Sequence, residues 1–295
     1  MVPPRVTAEQ LQQLLPAITE IGEPLNGGQK LVFPCTVNGT RCAVKVMGGP
    51  MPPGDEEGPD VLEEVFARAT REVRILEACD SPHLPKLGPV PLTRAELDDQ
   101  RLLVFSEEFI ENDSLRDILR PGVRLTPAEI CRLGINIARA IEEIWRQKQI
   151  HRDINPRNIL RRNSDGTFVL IDPGIAFEVG GEELTQTGDF WHSKGYVAPE
   201  RLNPVTRKDA DSRSDLFLLG IVMYEAAVGS HPFAGHDMAE NIIHLQQPRI
   251  ATRVNGFPEC LDEIIERLLS KQKHSRFRRA AVLIEALEEC AQRLA

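Results

Sequence analysis

A chain of 295 residues with 41% hydrophobic and 27% charged residues has the composition of an ordinary globular protein, long enough for two modest domains. The net charge of −9 argues against nucleic acid or an anionic membrane as the main partner, because both require basic surface. No apolar run reaches membrane-spanning length; Leu216 to Met223 reads as a buried helix instead. The opening Met1-Val2-Pro3-Pro4-Arg5 lacks the apolar stretch of a secretion signal, and a cytoplasmic location is expected. Cys35, Cys42, Cys79, Cys131, Cys260 and Cys290 form no CxxC pair, so reduced and mostly buried thiols are expected.

In chain order, Thr7-Ala8-Glu9-Gln10 has the form of a capping box that opens a short helix through Leu11, Leu14, Leu15 and Ile18. Residues from about Ile21 to Met47 read as three strands with turns, with Gly27-Gly28 as a turn ahead of strands over Lys30–Thr36 and Arg41–Met47. Asn38-Gly39 supplies the tight turn between the last two. Gly48 to Asp60 is rich in Gly, Pro and acids and reads as a loop. Helical spacing follows from Leu62 to Ala78 through Val65, Ala69, Val73 and Leu76. Strands are expected at Leu84–Val90 and Arg101–Ile110, flanking a polar loop near Arg94 to Asp99. A long amphipathic helix is expected over Ile130–Lys148, on the spacing of Ile130, Leu133, Ile137, Ile141 and Ile144. Asn163-Ser164-Asp165-Gly166 reads as a hairpin turn, and helices dominate from there onward. A strand-rich first third and a helix-rich remainder suggest two lobes joined near Glu108 to Asp113.

The chemistry concentrates in His151-Arg152-Asp153-Ile154-Asn155-Pro156-Arg157-Asn158 and Asp172-Pro173-Gly174. Asp153 can accept a proton from an attacking hydroxyl, while Asn158 and Asp172 can hold magnesium against the phosphates of a nucleotide. Order and spacing resemble the catalytic loop H-R-D-x-x-x-x-N and the D-F-G turn of protein kinases, with Asn155 in the usual place of Lys and Pro173 in that of Phe. Ala43-Val44-Lys45-Val46 resembles the V-A-I-K strand, and Glu72 stands where the partner of that lysine is expected. Ala198-Pro199-Glu200 is similar to the A-P-E motif that closes the peptide-docking segment. The set spans nearly the whole chain and resembles the eukaryotic-like (Hanks-type) protein kinases, in particular bacterial serine/threonine kinases.

The resemblance implies an α+β, two-lobed fold. A small antiparallel sheet with one main helix would form the N-lobe (about 21–110), a mostly helical C-lobe would follow (about 111–295), and residues 1–20 would be a helical extension. It implies ATP and Mg2+ as cofactors and a protein as substrate, with no nucleic acid or membrane partner. Catalytic roles would fall to Asp153, Lys45, Glu72, Asn158 and Asp172, with Asn158 and Asp172 as metal ligands. The nucleotide would meet Gly27, Gly28, Val32, Ala43, Lys45 and Leu160, and the backbone of Glu108 and Ile110. Glu107 would gate the space behind the adenine, where a charge needs solvent or a base, unless Ser106 is the gate. Glu200 would pair with Arg276, and Asp215 would brace the catalytic loop. Thr185 and Thr187 resemble paired activation-loop threonines whose phosphates Arg152 would order, and Ser193 differs together with Asn155. Arg157 leaves tyrosine or dual specificity open. A pseudokinase and a small-molecule kinase are the alternatives, and oligomeric state is not fixed by the sequence.

Overall fold

The computed structural model describes residues 4–26, 30–50, 61–111, 113–173, 177–178, 195–203, 205–206 and 210–294. Gly27, Gly28, Gly174, Thr185, Thr187, Ser193 and residues 51–60 of the expected loop lie outside the described residues. The chain divides into two compact units, Met1–Ala78 with Pro85–Ile110, and Cys79–Leu84 with Glu111–Ala295. The fold is α+β, with the antiparallel sheet in the first unit and most of the helix in the second.

In the first unit, α1 (Ala8–Leu14) is opened by Thr7, whose side chain accepts from the Gln10 amide while the Gln10 side chain bonds back to the Thr7 amide. The helix does not continue to Ile18. Pro16 removes a donor, and Ile18–Thr19 instead forms strand β1. The sheet also contains β2 (Leu25–Asn26), β3 (Lys30–Val37), β4 (Thr40–Pro50), β5 (Thr93–Leu97) and β6 (Gln100–Glu108). Its order is β1-β3-β4-β6-β5, with β2 also pairing with β3. Since β1 pairs with β3 and Leu11 and Ile18 share a core with Phe33, Val44 and Val104, residues 4–20 are continuous with the sheet's packing.

Alternation sorts the central strands onto two faces. Val44, Val46, Leu102 and Val104 enter the core that holds α1's Leu11. Met47, Leu103 and Phe105 point the other way, against Val65, Phe66, Ala69 and Val73 of α2 (Val61–Ala78). Lys45 therefore belongs to the face that meets α2. The hairpin turn falls where expected, with Asn38 and Gly39 both left-handed at φ 49° and 78°.

Two strand expectations are corrected. Leu84–Val90 forms no strand: Pro85 and Pro89 lack amide donors, and contact with β6 is reduced to bonds such as Gly88 N to Ser106 O at 2.8 Å. The polar stretch after Arg94 is largely strand β5, an edge strand with exposed polar side chains, turning at left-handed Asp98.

In the second unit, α4 (Pro127–Arg146) starts at a Thr126/Glu129 capping box and buries Ile130, Leu133, Ile137, Ile141 and Ile144 as the spacing predicted. It packs against α6 (Ser212–Val228), which is buried nearly all round and ends at left-handed Gly229. It also packs against α9 (Ala280–Leu294). The remaining helices are α3 (Leu115–Ile118), α5 (Pro199–Leu202), α7 (Met238–His244) and α8 (Glu259–Leu268). Short pairs complete the unit: β7 (Gln149–Ile150) with β10 (Phe177–Glu178), and β8 (Ile159–Arg161) with β9 (Phe168–Leu170). The expectation of reduced thiols fails at Cys260 and Cys290, which are joined in a disulfide between packed helices α8 and α9. They lie 30 residues apart, a spacing that carries no signal. Cys35 and Cys42 are free thiols directly opposite each other, with sulfurs 3.8 Å apart. Among the described residues, no helix is long and apolar enough to cross a membrane.

The bend at Gly48 in β4 depends on its missing side chain. Its φ is +137°, and a Cβ there would lie 2.1 Å from the carbonyl oxygen of Arg101. Gly48→Ala is expected to lower stability by about 2–4 kcal/mol in urea denaturation. A loss below about 0.5 kcal/mol, the range of an ordinary surface change, contradicts this packing.

Candidate active site

Two groups of expected site residues can be described, one in each unit. In the first unit, β4 carries Lys45 into the sheet-to-α2 interior. Its Nζ lies 2.5 Å from Glu72 Oε1 and 2.7 Å from Glu107 Oε2. The three residues are 1%, 2% and 4% exposed, so this is a buried cluster of one ammonium and two carboxylates. The Glu72 contact is a hydrogen bond; the Glu107 contact is an ion pair without hydrogen-bond alignment. Lys45 Nζ also lies 5.5 Å from the centre of the Phe105 ring. Glu107 thus finds the base that a buried charge needs. Ser106 faces the opposite way, where its Oγ accepts from the Val90 amide at 2.7 Å.

Strand register explains which neighbours share this face. Val32 is opposite Lys45 across β3–β4, and Glu107 is opposite Ala43 across β4–β6. Residues paired across antiparallel strands point to one side. Val32, Ala43, Lys45 and Glu107 therefore gather on one face. The Glu108 amide donates to Lys86 O at 2.7 Å, so a ligand contact at Glu108 would use its carbonyl oxygen rather than its N–H. Ile110, expected to lend backbone contacts, is buried.

In the second unit the loop from His151 to Asn158 is fixed from behind. Asp215, near the start of α6, accepts from the His151 amide at 2.7 Å and the Arg152 amide at 2.8 Å. Arg152 is left-handed at φ 70°, a costly conformation for a side-chain-bearing residue. The two bonds to a buried carboxylate hold it there. Burial pushes the Asp215 carboxyl upward, opposed in part by the hydrogen bonds from the two amides. The His151 ring accepts from the Asp153 amide at Nδ1 (3.3 Å), which leaves Nε2 to donate to Ile171 O at 3.1 Å.

Asp153 receives amide donors on both carboxylate oxygens. Asn155 Nδ2 donates to Oδ1 at 2.8 Å, and Asn158 Nδ2 donates to Oδ2 at 2.7 Å. Each amide nitrogen also reaches the Asp153 carbonyl, at 3.1 and 2.9 Å. Asn155 is itself oriented, because its Oδ1 accepts from the Arg157 amide at 2.9 Å. The Asn in the usual lysine position thus holds the carboxylate in place. No sequence signal distinguished that role from the loss of a charge.

Asp172 follows Ile171, whose amide donates to Asn158 O at 2.9 Å, and it too is left-handed at φ 65°. Leu160 lies in β8 and bridges to Ser114. Asn158 and Asp172 fit a hard cation in their chemistry. The Asn158 nitrogen is committed to Asp153, so its amide oxygen is the atom that can face a metal, and Asp172 adds a carboxylate. No group of three or more His, Cys, Asp or Glu able to hold a metal occurs among the described residues, so ligand oxygens would complete the coordination.

Beyond the loop, Arg276 binds Glu200 through two parallel bonds, Nη1 to Oε1 at 2.8 Å and Nη2 to Oε2 at 2.9 Å. Its remaining donors reach the carbonyls of Ser270, Lys271 and Arg213. Burial disfavours ionised Glu200. Bonds and charge from Arg276, with a bond from Ser214, outweigh this and hold the carboxyl below its usual range. Tyr196, just ahead of this segment, donates to Glu225 and meets His231 edge-on.

The family model for the protein kinase domain matches residues 26–287. A probable serine/threonine-protein kinase of Clostridium perfringens is 28% identical over 230 residues, covering 77% of this chain and 32% of the relative. Serine/threonine-protein kinase PknJ of Mycobacterium tuberculosis is 30% identical over 228 residues, covering 75% of this chain and 37% of the relative. Serine/threonine-protein kinase PknE of the same species is 31% identical over 212 residues, covering 71% and 36%. The alignments span about a third of the length of these curated relatives.

The Glu200–Arg276 pair gives stability a defined pH dependence. Because ionisation of Glu200 is favoured in the folded state, its contribution is complete above the unfolded carboxyl's value of about 4.3. It is lost as the pH falls through the lower folded value. Glu200→Gln is expected to cost about 3 kcal/mol at pH 7, leaving Arg276 buried without its counter-charge. In urea denaturation this gap should shrink as the pH drops below about 4. A gap that stays constant from neutral to acid pH contradicts this role for the pair.

Proposed function

Since the chain belongs to the Hanks-type protein kinase family, we propose that it transfers the γ-phosphoryl group of ATP to serine or threonine hydroxyls of a protein substrate. The observation that carries this reading is Asp153, positioned on both carboxylate oxygens within a loop braced by Asp215. A carboxylate so oriented can accept the hydroxyl proton as the substrate oxygen bonds to the γ-phosphorus and the bond to the ADP oxygen breaks. Asn158 and Asp172 would hold magnesium, which neutralises phosphate charge when bound. Lys45, with Glu72 beside it, would meet the α- and β-phosphates. Val32, Ala43 and Leu160, with the backbone of Glu108 and Ile110, would enclose the adenine, and Gly27 and Gly28 would approach the phosphates.

The serine/threonine preference draws support from the relatives named serine/threonine-protein kinases and from the form of Gly195-Tyr196-Val197-Ala198-Pro199-Glu200. Self-phosphorylation at Thr185 or Thr187, with Arg152 as the basic partner, belongs to the same reading. So does a cytoplasmic location, where ATP is held. Asn155 supplies no positive charge to the transferring group. The loss of one such donor costs about a hundredfold in rate, so modest turnover is expected.

A second reading, a nucleotide-sensing module without turnover, is favoured by one observation: Glu107 engages the Lys45 ammonium that would meet the phosphates. Incubation with magnesium, labelled ATP and a generic protein substrate decides between the two. Wild type should transfer label and Asp153→Ala should not, while both retain nucleotide-dependent thermal stabilisation. Equal, background-level transfer by the two proteins overturns the kinase reading, and stabilisation without transfer selects the second.

A further inference from the structure

Glu72 and Glu107, both paired with Lys45, are held by different means. Glu72 sits on α2, which meets the sheet through side-chain packing of Val65, Phe66, Ala69 and Val73 against Met47, Leu103 and Phe105. Glu107 sits on β6, paired with β4 in continuous register from Cys42↔Glu108 to Pro50↔Gln100. The Lys45–Glu107 distance is therefore fixed by the backbone ladder of two adjacent strands. The Lys45–Glu72 distance depends on where a packed helix lies. Both contacts are buried, so neither is weakened by solvent screening.

We infer that Glu107 is a second, sheet-borne anchor for Lys45, one that keeps the ammonium in place when the Glu72 contact is lost. The inference rests on the proposed nucleotide site only for its consequence, that phosphate binding tolerates loss of either carboxylate alone. It follows from the geometry. The Lys45 ammonium hydrogen-bonds Glu72 and at the same time holds Glu107 by charge at ion-pair distance. A buried lysine that loses both carboxylates is pushed outward or toward its neutral form. Glu107 is then a positioning residue: it acts on phosphates through Lys45. An alternative role, in which Glu107 competes with the phosphates for Lys45, predicts the opposite sign in the test below.

The test is a double-mutant cycle of Glu72→Gln and Glu107→Gln, read by ATP affinity and by reactivity of Lys45. Each single variant should weaken equilibrium ATP binding modestly, and the double variant should lose at least about tenfold more than the product of the two. Acylation of Lys45 by acetic anhydride without nucleotide, measured by mass spectrometry, should stay low in wild type and both singles and rise only in the double. Cys35 and Cys42, sealed in the same unit's core, report folding by staying unreactive to iodoacetamide. If the double variant exposes them, Glu107→Asp in the Glu72→Gln background, which keeps the charge but shortens its reach, takes its place. Effects that simply multiply, or Lys45 protection that survives in the double variant, overturn the inference. Tighter ATP binding by Glu107→Gln also overturns it, in favour of competition. If wild type binds no ATP, the proposed function fails while the acylation arm still decides the anchor.

Discussion

The loop from His151 to Asn158 depends on one buried carboxylate. Asp215 accepts the amides of His151 and Arg152 and thereby holds Arg152 in a left-handed conformation that its side chain disfavours. Each further feature of the loop builds on that bend. His151 turns its Nδ1 toward the Asp153 amide and its Nε2 toward Ile171, and Asp153 is then clasped by the amides of Asn155 and Asn158. The strain is local, and α6, buried nearly all round in the core of its unit, supplies the fixed support.

Charge burial organises the two units in different ways. The first places an ammonium between two acids on the sheet face that meets α2. In the second, neutral amides and backbone donors surround Asp153 and Asp215, and the bidentate Glu200–Arg276 pair is a buried ionic bond. Removing one partner of such a bond leaves the other charge uncompensated, which is why these positions matter to the fold.

Much of this was legible from residue patterns. Helix α4 could be read from the spacing of five apolar residues, the β3–β4 turn from Asn38-Gly39, and the Glu200–Arg276 pair from motif order. What was not legible came from long-range packing or from local competition. Leu84–Val90 is apolar enough for a strand, yet its prolines break the ladder, while the polar β5 pairs because an edge strand tolerates polar side chains. Pro16 ends α1 early and frees Ile18 for the sheet. The Cys260–Cys290 bond arises from the packing of α8 on α9, which the sequence separation hides. Glu107 was visible as a misplaced charge, but its solution required the register that brings it to Lys45. Asn155 looked like a missing lysine, and only the folded loop brings its amide onto the Asp153 carboxylate.

On the reading proposed above, this loop, with Asn for Lys and Pro for Phe, still performs phosphoryl transfer through Asp153. Site-resolved mass spectrometry of the purified chain and of its Asp153→Ala variant, expressed identically, addresses it without a known substrate. Phosphate is expected at Thr185 or Thr187 in the wild type and none in the variant. Equal phosphate in both proteins, or none in either after incubation with ATP and magnesium, would contradict it.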